Sequence, residues 1–164
     1  MKLLRTLLLA LLLPASLAAC ATTPAAVQEP VYYVVRHLNT PEGERDPDLL
    51  PEGQAAAQRL EAMLASEPPA IIYVSDYKRT RQTAAPIAAR LGLTPVVYDP
   101  ADTPALAARV RQGPWPVLIV GHSNTVPDIV AALGGTRPAP LSHPDFGDVW
   151  RIGADGTTTR TSIP

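Results

Sequence analysis

Three short apolar runs in this chain, Val31-Tyr32-Tyr33-Val34-Val35, Ala70 to Val74 and Val117-Leu118-Ile119-Val120, are each followed at once by a cluster of polar and cationic residues. A run that is apolar at every position, instead of at alternate ones, suits a strand covered on both faces. Such strands belong to a mostly parallel sheet wrapped by helices, and the segments between them carry helical periodicity. The rhythm specifies an α/β fold, a three-layer α/β/α arrangement with a mostly parallel central sheet.

The remaining elements follow from the same reading. Pro51 suits a first helical position, and Ala57, Leu60, Met63 and Leu64 recur at helical spacing after it. A second helix is expected from Arg79 to Leu91, ended by Gly92, then a short strand Val96 to Tyr98 and a third helix Pro104 to Arg111. A helix from about Val126 to Leu133 ends at Gly134-Gly135, Ser142 to Gly147 reads as loop, and Val149 to Ile152 with Thr157 to Ser162 suggests a terminal hairpin around Asp155-Gly156. No internal repeat is visible.

The first 30 residues have a different character. Met1 to Arg5 is a short basic start, Leu7 to Leu13 is an unbroken apolar run, and small residues lead to Cys20. Residues 1–19 therefore read as an export signal, too short before Pro14 to span a bilayer. Cys20 is the single cysteine, which excludes a disulfide framework and a Cys-based metal site. Leu17-Ala18-Ala19-Cys20 resembles the bacterial lipoprotein processing motif, which implies diacylation of Cys20, anchoring to a membrane and, with Ala21 next, placement in the outer membrane facing the periplasm. The competing reading is an ordinary signal with an incidental thiol. Residues 20–30 form the lipidated N-terminus and a Pro-containing flexible tether, and residues 31–164 form one domain.

The chain has 14 Lys+Arg against 15 Asp+Glu, and the signal removes Lys2 and Arg5, so the remainder is mildly acidic. A nucleic-acid partner, which demands a basic excess or stripe, is not expected. Scarce cations are then informative where they cluster. Arg36-His37 follows the first strand, Ser75 to Arg79 the second, and Gly121-His122-Ser123-Asn124-Thr125 the strand ending at Val120. Ligands of open α/β sheets bind beyond the carboxyl ends of strands, and two Arg with two His on one rim call for an anion such as phosphate.

With these residues the chain resembles the histidine phosphatase superfamily, the phosphoglycerate-mutase-like proteins. Val34-Val35-Arg36-His37 is similar to the family's first motif, and Asp46-Pro47-Asp48-Leu49 with Gly53 to its first-helix entry. Ser75 with Arg79-Thr80-Arg81-Gln82-Thr83-Ala84 is similar to its second motif and Val120-Gly121-His122-Ser123 to its last. The resemblance spans nearly all of Val31 to Leu133. It implies a phosphoglycerate-mutase-like fold and a metal-independent phosphatase without cofactor, in which His37 attacks phosphorus and becomes a phosphohistidine that water hydrolyses. Arg36 and Arg79 would clamp the nonbridging oxygens, His122 would hydrogen-bond the developing charge, and Asn39 and Ser123 would contact substrate. Arg81 is expected to face solvent or an acidic partner, and His143 to belong to a surface loop.

The chain departs from the family pattern in two places. Leu38 stands where Gly or Ala is common, with bulk enough to narrow the pocket or tilt the loop, and Asn39-Thr40 follow where an acidic and a small polar residue are frequent. The general acid is the second departure: the insertion that carries a Glu in mutase-like members is missing, and Asp99 and Asp102, just beyond the third strand, are the nearest candidates. Asp99 serves equally well as a turn or cap residue. A phosphoramidate or activated phenol, whose leaving group departs unprotonated, needs no such acid.

Other classes fit less well. Gly121-His122-Ser123-Asn124-Thr125 lacks the second Gly of a nucleophile elbow, no H-x-H or H-E-x-x-H spacing exists, and the insertions of a mutase are missing. The remaining rival is a non-catalytic, lipid-anchored phosphate-binding module. Partners are either a small phosphorylated substrate or a phosphoprotein, and export argues against cytoplasmic phosphorelay proteins.

Overall fold

The computed structural model describes residues 29–164; the signal at 1–19, Cys20 and most of the 20–30 tether lie outside the described residues. The element order is β1 (Tyr32–Arg36), α1 (Pro51–Met63), β2 (Ile71–Ser75), α2 (Lys78–Leu91), β3 (Val96–Tyr98), α3 (Thr103–Val110), β4 (Val117–Gly121), α4 (Val126–Ala132), β5 (Asp148–Ile152) and β6 (Thr158–Ser162). The six strands form one sheet in the order β3-β2-β4-β1-β5-β6. β1 to β4 run parallel, while the terminal hairpin adds β5 and β6 antiparallel on the β1 side.

The apolar runs are continuous because both faces are covered. Tyr32, Val34, Tyr73, Val117 and Ile119 pack against Leu106 and Val110 of α3 and Val126, Ile129 and Val130 of α4. The alternate residues Tyr33, Val35, Ile72, Val74, Leu118 and Val120 pack against Leu60 of α1 and Ala84, Ile87 and Ala88 of α2 on the opposite face. Two helices per face give the three layers. Strand ends slide by a residue from the pattern-based boundaries, since Arg36, Ser75 and Gly121 still pair in the ladder and a hydrophobic pattern does not register polar residues that do so. Pro86 lies inside α2, whose path continues around it.

Gly53 and Leu38 join the β1 loop to α1. A Cβ at Gly53 would lie 2.6 Å from the carbonyl oxygen of Asn39, so the helix can reach the loop only with glycine there. Asn39 C=O also accepts from Leu50 N–H at 2.9 Å. Leu38, fully buried, packs with Leu49, Ala56 and Ala57 beneath this contact, and its N–H donates to Thr83 Oγ1 at 3.0 Å. Its bulk therefore goes into the core, not toward the strand ends. Leu38→Ala should destabilise the domain by about 2–5 kcal/mol, the usual cost of such a truncation in a packed site. Denaturant unfolding measures this, and a loss under about 1 kcal/mol would contradict the packing described.

Candidate active site

The carboxyl ends of β1, β2 and β4 share one edge of the sheet, and their loops enclose a cavity of about 390 Å³. His37, Tyr77, Arg79, His122 and Ser123 are among the residues lining it. The β1 and β4 loops are fastened together by His37 N–H donating to Gly121 C=O at 2.8 Å, which sets the two imidazoles 5.4 Å apart, edge to face.

His37 is 6% exposed, and its Nδ1 lies 3.0 Å from the carbonyl oxygen of Leu38. A carbonyl only accepts, so Nδ1 carries the proton and Nε2 keeps a free lone pair. Burial pushes the His37 pKa down to about 3; the Leu38 carbonyl opposes this, while His122, Arg36 and Arg79 add to it. The imidazole is therefore neutral around pH 7 and competent as a nucleophile without first losing a proton.

Arg79 reaches the cavity from the first turn of α2. That helix has no side-chain cap of its own at Tyr77; instead Lys78 N–H donates to Asp46 Oδ1 at 3.0 Å, from the loop before α1. The same carboxylate oxygen pairs with Arg79 Nη1 at 3.4 Å, Arg45 C=O accepts from that nitrogen at 3.3 Å, and the guanidinium stacks 4.2 Å from the centre of the Tyr77 ring. Arg79 Nη2 lies 3.3 Å from His122 Nδ1, and because guanidinium only donates, Nδ1 is the acceptor. His122 Nε2 then holds the ring proton and donates to Ser75 Oγ at 2.7 Å. Burial first, then Arg79 and Arg36, depress the His122 pKa to about 4.

Arg36 enters differently from what its sequence position suggests. It does not line the cavity but lies buried beside it, its Nη1 donating to the carbonyls of Ser142, His143 at 3.2 Å and Asp145 at 3.1 Å. Phe146 covers the guanidinium at 4.0 Å and its ring lies 5.8 Å from His37. Arg36 Nε is buried without a partner, an expensive state for a charged group. Sequence reasoning missed Phe146 and the 142–145 carbonyls, which meet Arg36 across more than a hundred residues of chain and carry no local motif.

Other sequence expectations are redistributed. Asn39 does not line the cavity; its backbone is spent on Leu50 and on the approach of Gly53. Asp102 caps α3 by accepting from Ala105 N–H at 2.9 Å, and Asp99 closes a turn by accepting from Ala101 N–H at 2.9 Å. Neither carboxylate lines the cavity, and no Asp or Glu does. Both are exposed residues satisfying local backbone, the turn and cap roles that compete with catalysis for such residues after a strand. Leu38 is absent from the lining too, so the narrowing expected of it does not occur. Arg81 pairs with Asp76 at 2.6 Å on the surface, and His143 packs edge to face against Phe146.

The two depressed imidazoles make stability depend on pH. In the unfolded chain both histidines protonate near 6.5, whereas in the folded domain they resist down to about 3 and 4. The unfolded state thus binds more protons in between, and stability held above that window is lost as pH falls through it, by roughly 1.4 kcal/mol per pH unit for each group. In phosphate-free buffer the melting temperature should fall from about pH 6.5 to about pH 4, and the fall should be shallower in the double variant His37→Gln, His122→Gln. An equal slope in both proteins would show that these imidazoles are not held neutral.

No curated protein sequence matches the chain. Among solved structures, the protein histidine phosphatase SixA complexed with tungstate has a TM-score of 0.62 at 20% identity, covering 81% of this chain and 97% of that one. Alpha-ribazole phosphatase from Shigella flexneri gives 0.62 at 15% identity, covering 81% and 95%. A mycobacterial glucosyl-3-phosphoglycerate phosphatase gives 0.57 at 17%, covering 82% and 98%. These likenesses establish the phosphoglycerate-mutase-like fold. Residues 32–101, which hold His37, Asp46 and Arg79, match the model of the histidine phosphatase superfamily, branch 1.

Proposed function

We propose that the domain is a phosphatase that needs no metal and works through a phosphohistidine on His37. The observation that carries this reading is the Leu38 carbonyl fixing the proton on Nδ1, which leaves the Nε2 lone pair free on an imidazole that lines a cavity with Arg79 and His122. Nε2 attacks phosphorus and the bond to the leaving group breaks, the electron pair departing with that group. Water then attacks the phosphohistidine, releasing inorganic phosphate and restoring the lone pair of Nε2. Arg79, and Arg36 through its unpartnered Nε, offset charge on the nonbridging oxygens, the electrostatic stabilisation on which phosphoryl transfer mostly rests. His122 Nδ1, the acceptor of Arg79, carries no proton of its own, and an incoming anion favours the imidazolium that can donate to it.

A cavity with no carboxyl group in its lining supports one substrate bias. Alkyl phosphates need their departing oxygen protonated, whereas phosphoramidates and phosphates of acidic phenols do not. We infer that the latter are turned over and the former slowly. Purified residues 29–164 should release phosphate from 4-nitrophenyl phosphate and a phosphoramidate far faster than from glycerol phosphate, be inhibited by vanadate and ignore chelators. Arg79→Ala should lose roughly 10²–10³ in rate, the usual cost of one preorganised charge contact. His37→Ala should lose turnover together with an acid-labile, base-stable phosphoryl adduct, and undiminished turnover in that variant would reject the mechanism.

We further propose that the domain acts as an exported lipoprotein, held by acyl chains on Cys20 at the outer membrane and facing the periplasm. The support is the Leu17-Ala18-Ala19-Cys20 sequence behind a basic and apolar leader. Cys20→Ser should abolish labelling by a radioactive fatty acid and membrane retention in fractionated cells; wild type recovered wholly as unlabelled soluble protein would refute it.

A further inference from the structure

Tyr77, Pro100 and Ala101 line the active-site cavity and also a second cavity of about 840 Å³ beside it. The two spaces adjoin across these three residues, so a group bonded to phosphorus in the first that extends past this low wall meets the second. Val97, on the short edge strand β3, contributes to the second cavity and at 43% exposure is the large hydrophobic side chain left exposed among the described residues. Together with Tyr77, Tyr98 and Pro100 it makes an apolar surface next to a phosphate site.

The charges around this groove are Arg45, Asp46, Asp76 and Asp99. Asp46 is engaged with Arg79 and the Lys78 amide, Asp76 with Arg81, and Asp99 with the amide of its own turn. With Asp46 and Asp76 offset by Arg79 and Arg81, and Arg45 facing Asp99 across the same space, the groove has no cationic excess and offers a second anion none of the attraction of the cavity next door. We propose that the groove is a leaving-group subsite, selecting phosphorylated compounds whose leaving group has a flat apolar body and no negative charge of its own, such as aryl or heteroaryl phosphates and phosphoramidates. Tyr77 then has two duties, stacking Arg79 on the phosphate side and bounding the leaving group on the other. The proposal rests on the reading of the first cavity as the phosphoryl site.

Non-hydrolysable phosphonates separate this subsite from turnover. Calorimetric titration of wild type should show phenylphosphonate binding roughly 3–10-fold more tightly than methylphosphonate, the gain expected from burying part of one ring face. A para-carboxylate on the phenyl ring should remove that gain. Val97→Asp, an exposed change on an edge strand, should bring the phenyl-to-methyl affinity ratio close to one, and Val97→Leu should preserve it. Equal affinities for the two phosphonates in wild type, or a ratio untouched by Val97→Asp, would overturn the subsite. If neither phosphonate binds and no phosphate is released from 4-nitrophenyl phosphate, the phosphatase reading itself fails.

Discussion

The parallel pairing of β1 with β4 is the constraint on which the site depends. Its register sets Val35 against Val120 and Arg36 against Gly121, and continues one step further as His37 N–H donates to Gly121 C=O. A backbone ladder thus fixes the spacing of two imidazoles that lie 85 positions apart in sequence. Gly121 contributes through its size: a Cβ there would sit 3.0 Å from Thr125 Oγ1, and that hydroxyl accepts from His122 N–H. The tight turn into α4 aims His122 back across the strand end.

Given that placement, charge is the next problem, because two imidazoles and Arg79 share one cavity with the Arg36 guanidinium buried beside it. Leaving both histidines neutral removes half the difficulty and leaves His37 a free ring lone pair at the same time. The guanidiniums are handled separately. Arg79 is exposed enough to pair with Asp46, whose same oxygen caps α2, so one carboxylate orients both the helix and the cation it carries. Arg36 is buried and held by three carbonyls from the 142–145 loop with the face of Phe146, and the Asp145 carboxylate acts on it without a direct ion pair. Carbonyl dipoles and a ring face steady a cation without cancelling its charge, and the Asp145 carboxylate, which makes no ion pair with it, offsets that charge only in part.

The chain's pattern revealed much of this, for reasons that can be located. Strands covered on both faces produce uninterrupted apolar runs, so the sheet and its helices were legible, and the residues at strand ends named the edge where the site had to form. His37, Arg79, His122 and Ser123 could be placed for that reason. What was not legible depends on chain segments with no periodicity. Leu38 looked obstructive because adjacency to His37 says nothing about direction; consecutive residues leaving a strand point to opposite sides, and Leu38 points under α1. Asp99 and Asp102 were attractive by proximity in sequence, yet short polar side chains after a strand satisfy their own turn first. Phe146 and its loop were invisible because their partner Arg36 lies 110 positions earlier in the chain, on β1, which meets β5 only once the sheet has formed.

The want of a carboxyl group in the cavity and the openness of the space beyond it follow from one structural economy. The β3 to α3 connection is only Asp99 to Asp102, and its two carboxylates are consumed in folding that connection. A longer insertion there, or after α2, would roof the cavity and supply an acid, as an enclosed site for alkyl esters requires. With the short loop, Pro100 and Ala101 form a low wall between the cavity of His37 and His122 and the groove on its other side. Chemistry and access are therefore coupled: the same brevity that leaves no proton donor for a poor leaving group leaves room for a bulky one, and a flat group of low basicity meets both conditions.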